Sequence, residues 1–558
     1  MDNSDIAAVL QETADLIELT DGNPHRARAF SRAARTLGDL STPASTRIEE
    51  DTLTDVSGVG DAMADHIADI AATGTFELHD ELLNAVPPGL LDVMRVKGLG
   101  TKRTRRLWQE LDITSLDDLE AAAEGDRITG LSGFGPKTQS NILENLRQLR
   151  AYEGKWRYAE VWNAVAPLLS ALRAADAVER AEPTGPFRRA CETLEQADLL
   201  VAPGTPDRIA PLLEEAFDAP PEHDDDSLSG TLKGELPVHV HLTAPESFGT
   251  AWWRTTGSAE HIDAFTNQYA PPPQEQTETA VYEQAGLTLI PPELRENRSE
   301  LEAADTGNLP DLITEDDLHG CLHNHSTYSD GAASLATMAD AARDLGFSYF
   351  GICDHSQSLQ IASGLSPDEV REQHEAVANL NESYDDFRVF HGIESDILRD
   401  GSLDYETDVL DLFDFVVASV HTGFSMTEAE ATERVIRAVE NPYTRILGHP
   451  TGRLLLSRDG YPLDHERVIA ACAEHDVAIE LNANPYRLDL DWRWVRHATD
   501  QGVLISINPD AHATDELEYV KWGVAAARKG WLTADQCLNA KPLAAFADWI
   551  EDGRPAAA

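Results

Sequence analysis

Between residues 320 and 512, seven apolar, strand-like runs end on a histidine or an acid. They are Gly320-Cys-Leu-His323-Asn-His325, Tyr349-Phe-Gly-Ile-Cys-Asp354-His355, Val389-Phe-His-Gly-Ile-Glu394, Phe415-Val-Val-Ala-Ser-Val-His421, Ile446-Leu-Gly-His449, Val477-Ala-Ile-Glu480 and Val503-Leu-Ile-Ser-Ile-Asn-Pro-Asp510-Ala-His512. Together these ends offer nine ligands of mixed nitrogen and oxygen type, a set that suits zinc, manganese or iron. Two or three such ions a few ångströms apart would activate a bridging water and clamp a phosphate oxygen, which is phosphoester hydrolysis. A single histidine beside an apolar run is usually structural, but seven coincidences at run ends set these apart.

Segments with helical periodicity follow the runs, at Ser334 to Leu345, Pro367 to Leu380, Glu428 to Val439 and His465 to Glu474. Alternating strands and helices predict a parallel barrel, whose strand ends converge on one face. His323 and His325, two apart on a strand, would project to the same side. Asp330 lies in the loop that follows. His355, His421 and His449 add imidazoles, Glu394 and Asp510 can bridge two ions, and Asp354 is expected to orient an imidazole from behind.

The blocks resemble the PHP (polymerase and histidinol phosphatase) metal-hydrolase family throughout residues 315–558, in the family's order: His-x-His, Asp354-His355, Gly392-Ile-Glu394-Ser, Val420-His421, Gly448-His449-Pro, Leu481-Asn-Ala-Asn484-Pro and Pro509-Asp510-Ala-His512. The resemblance implies a trinuclear catalytic site held by His323, His325, Asp330, His355, Glu394, His421, His449, Asp510 and His512, with two or three divalent ions. Arg487 stands in another such block. It could hold a substrate phosphate or pair with Asp489 or Asp491.

A length of 558 residues with 42% hydrophobic content allows several domains with ample core. No apolar stretch reaches membrane-spanning length and the start lacks a basic leader, so a cytoplasmic, monomeric protein with no membrane partner is expected. Five cysteines with no Cys-x-x-Cys suggest buried or incidental thiols in a reducing compartment. The net charge of −54 is spread along the chain and accompanied by only eight lysines. That composition suits molar salt, where self-repulsion is screened, and predicts a halophilic archaeal host.

Three segments repeat an apolar-x-Gly-apolar-Gly turn opening a helix: Val56-Ser-Gly58-Val-Gly60, Val96-Lys-Gly98-Leu-Gly100-Thr-Lys102 and Leu131-Ser-Gly133-Phe-Gly135-Pro-Lys137. The glycines allow the tight turn, and exposed amides at the helix start can bind a DNA phosphate without reading sequence. These are helix-hairpin-helix motifs. Lys97, Lys102 and Lys137, with Arg103, Arg105 and Arg106, concentrate cations there and predict a phosphate-facing surface. The first copy carries Asp61 where the third has Pro136, and no lysine precedes Lys97.

A basic amphipathic segment, Asn23 to Arg35, precedes the first turn, and the whole layout resembles the bacterial and archaeal family X DNA polymerases with a PHP domain. The resemblance implies a multidomain fold: an all-α helix-hairpin-helix N-terminal region, an α+β nucleotidyltransferase-like palm, and a C-terminal distorted (β/α)7 PHP barrel. The expected boundaries are 1–80 and 81–152 for the helical domains, 153–300 for palm and thumb, 301–314 for a linker and 315–558 for the barrel.

In that family the palm holds three carboxylates. Here Gly185-Pro186 replaces the Gly-Ser of the nucleotide-binding turn, the Asp-x-Asp strand carries Gln196 and Asp198, and His239 takes the third position. Two metal ions roughly 3.5–4 Å apart need surrounding carboxylates. With one acid left and His239 able to carry positive charge, polymerase activity is expected to be lost. The expected function is a metal-dependent 3′–5′ exonuclease acting in DNA repair on gapped, nicked or blocked ends, with manganese, zinc or iron as cofactor. An active gap-filling polymerase would need the missing acids, and a small-molecule phosphatase would have no use for three hairpin motifs.

Overall fold

The computed structural model describes residues 3–553 except 39, 41, 51, 57, 204 and 233. The chain divides into two compact units, Met1–Glu153 and Gly154–Ala558.

The first unit is helical. In the basic helix Pro24–Gly38, the residues Ala27, Phe30, Ala33, Ala34 and Leu37 are buried, while Arg26, Arg28, Arg32 and Arg35 are exposed on the other faces. The three glycine turns share one backbone conformation. Gly58, Gly98 and Gly133 have φ of 88°, 91° and 86°, values natural only to glycine. Gly60, Gly100 and Gly135 are extended N-caps of the helices Asp61–Thr73, Thr101–Leu111 and Pro136–Tyr152. The third turn is preceded by a single 3-10 turn, Ile128–Gly130, rather than a full helix. The expected border near residue 80 is bridged by Leu16, Leu19, Val86 and Leu90, because the 17-residue first helix, Asn3–Leu19, reaches past it.

The second unit holds a seven-stranded and a five-stranded sheet, besides a short antiparallel pair of Trp156–Arg157 with Thr193–Leu194. Seven parallel strands, Gly320–Cys321, Tyr349–Ile352, Arg388–Asp396, Phe415–Ser419, Thr444–Leu447, Ala478–Asn482 and Ile505–Asn508, are paired in chain order. A bridge between Asn324 and Ala511 joins the first end to the last, so the barrel is nearly closed. Apart from Arg388 at a strand start, the strand residues are buried on both faces, as parallel sheets require. Helices Leu335–Asp344, Pro367–Asn381, Glu428–Val439 and His465–Glu474 cover the outside, each started by a capping Ser, Thr or Asp.

The other sheet has five strands, with Arg180–Pro183, Ala197–Ala202 and Pro237–Leu242 at its centre and left edge, followed by Ser227–Thr231 and Glu222–Asp224. It is not an independent body. Tyr158 packs edge-on against Trp522 of the barrel, and Arg493 pairs with Glu192 at 2.8 Å. Buried Lys529 of the barrel pairs with Glu296 and donates to the Arg189 carbonyl. Residues 301–314, expected as a linker, are packed instead: helix Glu300–Thr306 buries Leu301 and Ala304, and Leu312 and Ile313 are also buried. Removing this apolar surface from water outweighs the acidic, linker-like composition.

Candidate metal centre

Six of the seven strands carry or lead into the nine candidate ligands, which come together in groups whose ligand atoms lie within 4.8 Å of one another: His325, Asp330, His355 and His512; His323, Glu394 and His449; His323, His325 and Asp510; His355, Glu394 and His421. The shared members make one continuous cluster. Glu394 is its hub, with Oε1 at 3.2 Å from His323, 3.1 Å from His421 and 2.9 Å from His449, and Oε2 at 2.8 Å from His355. Asp510 lies 3.1 Å from His325, and Asp330 lies 3.5 Å from His355 and 3.4 Å from His512. His323 and Glu394 are at most 1% exposed in their side chains, whereas Asp330 and His512 reach 36% and 34%, so the cluster opens to solvent on their side.

The electrostatics require compensating positive charge among the acids. Burial alone would raise the carboxyls, yet His421, His323 and His355 hold Glu394 well below its ordinary range. Asp510 is likewise held down by His323, His325 and Arg487 against burial, and Asp330 falls to about 2 through His512, His355 and His325. Burial opposes protonation of His421 and His512, but Glu394 and Asp396 raise the first to about 10, and Asp330 and Asp510 raise the second to about 9. His325, buried beside His512 and His355, falls to about 3 and is neutral. Divalent ions would supply the same balance. Buried His323 Nε2, His355 Nδ1 and Glu394 Oε2 have no hydrogen-bond partner, which fits atoms that serve as ligands.

The imidazoles are oriented from behind. His323 Nδ1 meets Glu480 at 2.6 Å, His421 Nδ1 meets Asp396 at 2.6 Å, and His512 Nδ1 meets the Asp510 carbonyl at 2.9 Å, leaving Nε2 of each turned into the cluster. Glu480 also accepts from the His449 amide at 2.6 Å and from Asn508 at 2.9 Å. The role of Asp396 was not recognised in the sequence. Its position two residues beyond Glu394 on the same strand was the available signal, since alternate strand residues share a face.

Several expectations change. His323 does not sit on a strand with His325: the strand ends at Cys321 and His323 is left-handed, with φ 57°. Asp354 orients no imidazole. It accepts from the Ser326 and Ser329 amides, both their hydroxyls and Gln373, and so shapes the loop that carries Asp330. Arg487 pairs with neither Asp489, which accepts from Thr451, nor Asp491, which binds Arg453 and Arg493. Its Nε lies 3.3 Å from Asp510, at the edge of the cluster.

In the palm, Asp198 and His239 are register partners on parallel strands. Gln196 donates to Asp198 at 2.7 Å, and Glu195 is exposed. His239 is not the expected cation: partial burial and His241 lower its pKa. In the helical unit, Lys97, Lys102 and Lys137 are exposed beside their turns. The neighbouring arginines each have a carboxylate or carbonyl within the same unit in reach. Arg103 donates to the Gly98 carbonyl at 2.7 Å, Arg105 pairs with Asp21, and Arg106 pairs with Glu110 at 2.7 Å.

Glycine turns and a buried nitrogen and oxygen cluster define a chain that combines helix-hairpin-helix elements with a metal-hydrolase barrel. Comparison with known proteins agrees. Residues 1–76 match a helix-hairpin-helix domain, 90–148 a SAM-like helix-hairpin-helix tandem, and 322–484 the PHP domain. The chain is 33% identical over 567 residues to the DNA polymerase/3′-5′ exonuclease PolX of Bacillus subtilis, covering 97% of this chain and 98% of that protein. A probable phosphatase of Acetivibrio thermocellus is 30% identical over 205 residues, 35% of this chain and 80% of its own length. The chain therefore belongs to the family X DNA polymerases that carry helix-hairpin-helix and PHP domains.

Among the described residues, no helix is long and apolar enough to cross a membrane.

Proposed function

We propose that this family member acts as a metal-dependent phosphodiesterase, a 3′–5′ exonuclease on gapped, nicked or blocked DNA ends, and that its polymerase activity is lost. The observation that carries this reading is the contrast between the nine barrel groups gathered around Glu394 and a palm that keeps only Asp198 of three expected acids. The nine are proposed as the ligands of two or three ions, manganese or zinc being the best matches to mixed imidazole and carboxylate donors. Such ions, when bound, would supply an activated water and neutralise charge on the phosphoryl oxygens.

The chain's own residues do the positioning. Glu480 and Asp396 fix the tautomers of His323 and His421, and Asp510 and Glu394 stay ionised across the neutral range. Arg487, partly exposed beside Asp510, is placed to hold a phosphate oxygen on the open side. The exposed lysines Lys102 and Lys137, with the amides after Gly58, Gly60, Gly98, Gly100, Gly133 and Gly135, would grip the DNA backbone without reading sequence. A preference for a DNA substrate over small phosphomonoesters rests on those hairpins.

A manganese-replete nuclease assay on gapped and 3′-blocked DNA in molar potassium chloride, run beside primer extension, tests the reading. Nucleotide release without extension is expected. Full release after His323→Ala plus Asp510→Ala would refute the site, and extension abolished by Asp198→Asn would refute loss of the polymerase.

A further inference from the structure

The altered palm carries a second feature that the barrel chemistry does not use. Strand Pro237–Leu242 alternates, with Val238, Val240 and Leu242 buried in the palm core and His239 and His241 on the opposite face. Their rings stack at 4.3 Å. Parallel pairing sets Asp198 beside His239, on a strand whose other residues are buried. Asp198, His239 and His241 each offer a ligand atom, all within 4.8 Å of one another.

Direct hydrogen bonding does not account for the cluster. His241 Nε2 and Asp198 Oδ1 are 3.7 Å apart, beyond hydrogen-bond length. Two ligands on one ion at bond lengths of 2.0–2.1 Å and a tetrahedral angle stand about 3.3 Å apart, so a small side-chain rotation suffices. Gln196 holds Asp198 at 2.7 Å, and Gly185 in the adjoining turn lies so close that an added Cβ would stand 2.7 Å from Asp198 Oδ2. The carboxylate therefore has little freedom. Asp224 and Asp226 add negative potential around His239.

We propose that Asp198, His239 and His241 form a mononuclear binding site for a borderline divalent cation of the zinc, cobalt or nickel class, with an open position toward solvent. Magnesium demands near-octahedral oxygen ligation and gains little from two imidazoles, whereas two histidines and one carboxylate suit the later transition ions. His241, 30% exposed, marks the side where water or a phosphate oxygen would complete the coordination. The site would replace the family's oxygen-lined two-ion palm with a different metal chemistry, independent of the barrel's activity.

The test counts metal. Full-length protein is stripped with chelator, reloaded with cobalt(II) and dialysed, and bound metal per chain is measured by mass spectrometry together with the visible cobalt bands. The His239→Gln/His241→Gln and Asp198→Asn variants should each hold one ion fewer than the parent and lose a distinct set of bands, while retaining barrel nuclease activity and the parent's melting profile. The His323→Ala/Asp510→Ala variant should keep those bands. Equal metal content in parent and folded palm variants overturns the proposal, as does displacement of the palm ion by equimolar magnesium. If the histidine variant unfolds, the near-isosteric Asp198→Asn variant decides the outcome.

Discussion

The barrel gathers histidines and acids near the ends of its parallel strands and the palm gathers them within two paired parallel strands, yet the two differ in what stands behind the ligands. In the barrel, His323, His421 and His512 each have an oxygen acceptor on the ring nitrogen that faces away from the cluster. In the palm, Gln196 steadies Asp198, but among the described residues neither His239 nor His241 has a hydrogen-bonded carboxylate behind it. Ligands are cheap to place on a strand. Holding several like-charged or desolvated groups together requires a buried supporting layer, and the barrel has kept one around Glu480, Asn482 and Asn508.

The strongest challenge to this contrast is removal of metal from the barrel. Chelation, or His323→Ala with Asp510→Ala, should lower nucleotide release roughly 1000-fold, the scale of several kcal/mol of transition-state stabilisation, measured by single-turnover hydrolysis. Next come the supports. Glu480→Gln and Asp396→Asn should each reduce metal affinity or activity by roughly 10–100-fold, with excess manganese restoring part of the rate; unchanged affinity would show that backing matters less than the contrast claims. Arg487→Ala should then cost roughly tenfold in kcat/KM, partly recovered by Lys, because a point charge replaces a planar fork.

Smaller effects are expected away from the barrel. Lys102→Ala and Lys137→Ala should weaken DNA binding at every sequence and flatten the salt slope by about one unit each, measured by titration at several salt concentrations. Asp198→Asn should leave nuclease rates within about twofold of the parent, since barrel hydrolysis needs no palm carboxylate.

Much of this was readable along the chain. The run endings pointed to eight of the nine groups that converge, Asp330 in a following loop being the ninth, and the glycine spacing pointed to three turns that adopt one conformation. The reading went astray where a residue's partner lies far away in sequence. Asp354, expected behind an imidazole, instead serves the loop at Ser326 and Ser329, 28 and 25 residues away. His323 joined the cluster for a different geometric reason, its left-handed backbone, which residue spacing does not encode.

Residue chemistry and periodicity pointed to a candidate metal-binding cluster at strand ends and to three hairpin turns, and the family resemblance added the full candidate ligand set and a palm short of acids. Only the tertiary structure decided which acceptor backs which imidazole, where the cluster opens, and that Asp198 faces two histidines rather than one. Those features depend on strand register and on contacts such as His323 to Glu480, 157 residues apart, which form only when the nearly closed barrel brings distant strand ends within hydrogen-bond reach.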